Sequence, residues 1–144
     1  MQTVRFGCEI SSTDFSVPLG MEVWIDQTLI FDQDHIRHSE TVEHEISDDD
    51  GDHELRFVLK NKQSDHTQVD ASGNIVRDAT LTVSQIEFDG IDCDYLTTTL
   101  AEYQHDFNGT GSSTTQRFYG ELGCNGTVTL KFSTPIYIWL LENM

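Results

Sequence analysis

Apolar and polar residues alternate along most of this chain. Val4, Phe6, Cys8 and Ile10 share one parity, and the pattern returns in Met21, Val23 and Ile25, in Val42, His44 and Ile46, and in Leu55, Phe57 and Leu59. Successive side chains of a strand point to opposite faces, so a period of two predicts strands with one buried face. His44 shares the inward parity and is expected in the core with one ring nitrogen satisfied. Farther along, Leu81 and Val83 are followed by Ile86 and Phe88, one position out of phase. A bulge near Ser84 and Gln85, or a strand passing between sheet edges, explains that shift. Two further strands, 117–122 and 127–132, flank the turn-rich "GCNG" at 123–126, which predicts a hairpin. After Pro135, "IYIWLLE" either begins a short helix or continues as a buried strand, and its β-branched and aromatic content favours the strand.

No helical periodicity persists over several turns, and no repeat of fixed length is visible. The pattern predicts an all-β chain, a two-sheet antiparallel β-sandwich of jelly-roll type forming one domain over residues 1–144, with a barrel as the alternative. At 144 residues the chain is long enough to bury a core without disulfides or a metal. Its three cysteines, an odd number with no close pair, are expected as reduced, partly buried thiols. There are 25 acidic residues against 8 basic ones, a net charge of −17, and a field of that sign repels phosphate backbones and anionic lipid. Nucleic acid and membrane are therefore not expected as partners. Solubility, or adaptation to a salty medium, accounts for the acidity, unless some of the carboxylates converge on calcium. The amino terminus lacks a basic segment followed by an apolar one, so the expectation is no signal peptide and synthesis in a cytoplasm.

The acidic run "SDDDGDHE" at 47–54 has part of the spacing of a calcium loop. With Gly51 at the sixth loop position, however, Ile46 and Phe57 fall where the first and last ligands belong. The run therefore predicts a hairpin turn between strands 41–46 and 53–60, with Gly51 supplying the positive φ. His35 and His38 are expected in a solvated loop. No nucleophile elbow, phosphate-cradling glycine loop or Cys-x-x-Cys pair is present, and no catalysis is expected. Two polar stretches, 61–78 and 103–116, are the expected functional loops. Within the second, Tyr103 and Phe107 are expected to be exposed rings for glycan stacking, flanked by hydrogen-bonding side chains.

The runs "LRFVLKNK" at 55–62 and "VRDATLTVSQIEFDG" at 76–90 resemble the core of calcium-dependent xylan-binding carbohydrate modules. Asp78, Leu81, Val83, Ile86, Phe88 and Gly90 fall in register with that family's pattern, and Asn61 matches a strand end. Lys62 stands where the family has Asp, Ala79 and Thr80 replace Arg-Asn, and Ser84 replaces a second Asp. The resemblance implies a β-sandwich. For a calcium ion it leaves Asp78, with Asn61, Asp65 or Asp70, as the candidate ligands. The runs "DDDGDHEL", "DASGNIVRDATLTVSQIEFDG" and "GCNGTVTLKFSTPIYIWLLENM" also make the chain similar to small proteins of tailed phages of marine cyanobacteria. That resemblance implies a non-enzymatic virion-associated accessory (decoration, fibre or tail) or adhesion module, made in host cytoplasm and located on the virion. It would dock to virion proteins or to its own copies. The alternative is a soluble carbohydrate-binding module with a calcium-assisted glycan site in the 61–78 loop.

Overall fold

In the computed structural model, which describes residues 2–63, 66–106 and 112–144, the alternation resolves into two antiparallel sheets. The first sheet is built on β1 (Thr3–Ser12), which lies between β4 (Glu40–Ser47) and β8 (Leu81–Phe88). The far side of β8 carries the two-residue strands β9 (Ile91–Asp92) and β12 (Glu121–Leu122). The second sheet runs in the order β11 (Thr114–Arg117), β10 (Glu102–His105), β13 (Gly126–Ser133), β5 (Asp52–Lys60), β2 (Gly20–Ile25) and β3 (Thr28–Gln33). A separate hairpin joins β6 (Thr67–Val69) to β7 (Ile75–Asp78). Two short helices, α1 (Asp94–Leu100) and α2 (Ile136–Asn143), complete the described elements.

Every apolar series picked out by its parity faces the space between the sheets. Phe6, Ile10, Met21, Val23, Leu55, Phe57, Leu81 and Phe88 have no exposed surface. An aromatic stack crosses the interface, with ring centroids of Phe88 at 5.7 Å from Phe6 in its own sheet and 5.0 Å from Phe132 in the other. The two-sheet sandwich expected from the pattern is the observed fold. His44 keeps its inward parity but is only half-buried, because β4 is the edge strand. The phase slip in β8 is a bulge: Gly7 pairs with Glu87 and Glu9 with Ser84, leaving one extra residue on β8, and Gln85 takes a φ of 52°. The carboxylate of Asp94, the first residue of α1, accepts the backbone N–H groups of Gln85 and Ile86 at 3.1 and 2.8 Å.

Several segments differ from the sequence expectation, and the strand expected at 117–122 is split between the end of β11 and β12. The acidic run at 48–51 is not a hairpin, because β4 and β5 belong to different sheets and it carries the chain across the sandwich. Its positive φ belongs to Asp50, at 59°, and not to Gly51. The "GCNG" segment likewise links β12 of one sheet to β13 of the other. The terminal segment is a helix. Ile136, Trp139 and Leu140 are buried while Tyr137, Ile138 and Leu141 are exposed, the spacing of one helical face. Apolar residues on both faces hid that period.

Candidate functional site

A depression with a volume of about 720 Å³ opens at one end of the six-stranded sheet, beside α2. The β2–β3 turn brings Asp26 and Gln27 to its rim. Outward parity on β5 places Asp52, Glu54 and Arg56 along it, and Lys131 comes from β13, where it pairs directly with Glu54. Trp24 is the cross-strand partner of Arg56, whose guanidinium lies over the indole, 5.3 Å from the ring centroid. The indole N–H donates to Glu22 Oε1 at 2.9 Å, and Arg56 Nε lies 3.5 Å from Glu54 Oε1. Indole and guanidinium thus form a fixed, flat polar surface next to the groove.

His53 forms the buried end of the groove. Its Nδ1 lies 2.7 Å from Asp26 Oδ2 and its Nε2 lies 2.8 Å from Asp49 Oδ1, while its ring stacks on Phe132 at 5.4 Å. A carboxylate at each ring nitrogen is matched by two N–H donors, an arrangement that favours the imidazolium form. Burial opposes that charge, but the hydrogen bonds to Asp26 and Asp49 outweigh burial and raise the His53 pKa above its ordinary value. The same contact, helped by the Thr134 hydroxyl donating at 3.0 Å, lowers the pKa of Asp49. An imidazolium bound at both nitrogens has no lone pair for proton abstraction or metal ligation, so this histidine is a staple and not a general base. The cysteines are equally unsuited to attack. Burial pushes the Cys8 thiol up to about 12 and the Cys93 thiol up to about 11.

The described residues singled out from sequence lie elsewhere. Tyr103 is 6% exposed, correcting the expectation of an open stacking face. Its ring points into the sandwich, and its hydroxyl donates to Cys124 O and accepts the Cys124 N–H at 2.9 Å. Phe107 and Asp65 lie outside the described residues. Asn61 donates its side-chain amide to Asp34 O at 2.9 Å. Asp70 closes the β6–β7 tip by accepting the N–H groups of Ser72 and Asn74 at 2.9 and 3.0 Å. Asp78 sits at the other end of that hairpin, opposite Thr67, so three residues of strand, about 10 Å, separate the two carboxylates. Calcium holds its oxygens at about 2.3–2.6 Å, and Asp70 and Asp78 do not converge on one ion. Among the described residues no group of three or more His, Cys, Asp or Glu side chains is placed to hold a metal.

The groove residues were missed because outward parity marks only a polar face. Sheet order alone puts Glu54, Arg56 and Lys131 side by side.

No family model and no curated protein matches the chain, so the phage resemblance gains no support. Two solved structures are similar to it. One, described as a selenomethionine form of vCBM60 in work on two families of calcium-dependent carbohydrate-binding modules, aligns with a TM-score of 0.54 and 9% identity, over 88% of this chain and 89% of that one. The other, vCBM60 in complex with galactobiose, aligns with a TM-score of 0.49 and 12% identity, over 88% and 96%. At such identity the likeness is one of fold: this chain has a two-sheet β-sandwich like that of the first of these proteins.

Proposed function

We propose that the chain is a non-catalytic carbohydrate-binding module whose glycan site is the groove beside Trp24 and Arg56. The observation that carries this reading is the groove's mixture of acceptor and donor side chains. Asp26, Asp52 and Glu54 stand beside His53, Arg56 and Lys131. Acceptors and donors alternate there, which suits a ligand rich in hydroxyl groups. The groove has the volume of a small-ligand site, and the fold is shared with a protein described as a calcium-dependent carbohydrate-binding module. The 61–78 stretch is the weaker location, because its described candidate ligands, Asn61, Asp70 and Asp78, are engaged in hydrogen bonds within the fold.

The chain contains two tryptophans, Trp24 beside the groove and Trp139 in its wall, so their fluorescence reports on ligand entry. Titration with a panel of neutral oligosaccharides, with and without calcium, is expected to find a saturable ligand. Glu54→Ala and Arg56→Ala are each expected to weaken it at least about 10-fold, the loss of one charge-assisted hydrogen bond. No binding across the panel under either condition refutes the reading.

A second reading, an accessory module that docks through protein contacts, is favoured by one observation. The outer face of α2 leaves Tyr137, Ile138, Leu141 and Met144 exposed at 53%, 55%, 76% and 83%. The occupant tested first is a second copy of the chain. Sedimentation at high salt, where repulsion between two acidic chains is screened, should then show a dimer that Leu141→Glu abolishes. A monomer at every salt concentration excludes it.

A further inference from the structure

One positive charge among the described residues is entirely enclosed. The Lys62 side chain has 0% exposure, and its Nζ lies 2.6 Å from Asp78 Oδ1 and donates to the Ala79 carbonyl. Asp78 Oδ1 also accepts the Thr67 hydroxyl at 2.7 Å. The backbone of Lys62 is clasped in turn by Asn125, whose Oδ1 accepts the Lys62 N–H at 2.9 Å and whose Nδ2 donates to the Lys62 carbonyl at 2.9 Å. Three separate stretches, the end of β5, the β7–β8 junction and the β12–β13 crossing, therefore meet on one lysine.

We infer that the Lys62 ammonium is a built-in replacement for a divalent cation, so that this end of the sandwich closes without calcium. Asp78, the hydroxyl of Thr67 and the carbonyl of Ala79 are the hard oxygen donors a calcium ion selects. Here two of them already receive hydrogen bonds from the ammonium, and the third donates its hydroxyl to the same carboxylate oxygen. A divalent ion bound to Asp78 Oδ1 would sit about 2.4 Å from that oxygen, with a buried ammonium only a few ångströms away. Two positive charges that close, shielded from water, repel strongly. The ammonium thus supplies the positive charge that these oxygens would otherwise gather around. This inference concerns closure of the fold and holds whether or not the groove beside Arg56 takes a sugar.

Thermal melting of the full chain in millimolar calcium and in excess chelator tests it, together with calorimetric titration with calcium chloride alone. The wild type is expected to melt at the same temperature, within about 1 °C, in both conditions and to give no calcium isotherm. Lys62→Met should melt lower by on the order of 10 °C in both, since it leaves a partly buried carboxylate unpaired. Lys62→Asp, which adds an acidic ligand and removes the ammonium, should become calcium-dependent, melting higher with calcium than with chelator. A one-to-one calcium isotherm for the wild type, or a rise of more than about 3 °C with calcium, overturns the inference. So does Lys62→Met melting with the wild type. Should the Lys62 variants fail to fold, Asp78→Asn keeps the shape, and its melting should be lowered and remain indifferent to calcium. A calcium-stabilised Asp78→Asn would count against the lysine.

Discussion

Trp139→Ala separates a docked terminal helix from a terminal strand. Trp139 is 6% exposed and meets Phe88 and Phe132 edge-on, with centroids 6.2 and 6.1 Å apart and interplanar angles of 70° and 69°. Removing an indole of roughly 200 Å² costs about 5 kcal/mol at about 25 cal/mol per Å². Large-to-small core substitutions of this kind span about 3–5 kcal/mol. For a chain of this size each kcal/mol is worth about 3 °C, so melting followed by far-ultraviolet circular dichroism should fall by roughly 9–15 °C. The phase of an alanine scan is more telling than its amplitude. A helix makes 136, 139 and 140 sensitive and leaves 137, 138 and 141 within about 0.5 kcal/mol of wild type. A strand would instead group 136, 138 and 140. Sensitivity at Ile138 with indifference at Trp139 would refute the helical docking.

Two further outcomes follow from the same geometry. The raised pKa of His53 contributes stability that is fully present below the unfolded value of 6.5 and is lost as pH rises through the folded value; the lowered pKa of Asp49 contributes stability present above 3.8 and lost as pH falls through its folded value. The melting-temperature difference between wild type and His53→Gln should therefore be largest between pH 3.8 and 6.5 and shrink above it, and a difference that grows with pH refutes the assignment of the imidazolium. Gly126→Ala should destabilise by on the order of 2 kcal/mol in urea unfolding, because its Cβ would overlap the Gln104 carbonyl and lie 2.8 Å from His105 Cβ, whereas Gly123→Ala meets its neighbours only at 3.4 Å or beyond. Equal effects at the two glycines would show that the β10–β13 approach is not the constraint.

The parity of apolar residues determined β1, β2, β4, β5, β8 and β13, their buried faces, the bulge in β8 and hence the two-sheet class, whereas β6, β7, β10 and β11 lie in or across the stretches 61–78 and 103–116 expected as loops. A period of two is a local property, and burial between two sheets is its direct consequence. Partnership is not local. The acidic run at 48–51 and the "GCNG" segment have hairpin composition, but whether adjacent strands share a sheet depends on contacts with β1, β8, β10 and β13, far away in sequence. The helix after Pro135 was obscured because its outer face is as apolar as its inner one, so only packing against Phe88 and Phe132 reveals which period operates. Site chemistry divided in the same way. Lys62 stands out in the sequence only through a family resemblance, and its meaning depends on the fold enclosing its ammonium against Asp78 and Ala79. Tyr103 was read as a surface ring until parity on β10 turned it inward. The groove beside Arg56 has no linear signature at all, because tertiary structure alone sets residues from β2, β5 and β13 around one depression, and the ligand a surface can take depends on which side chains stand next to one another in space.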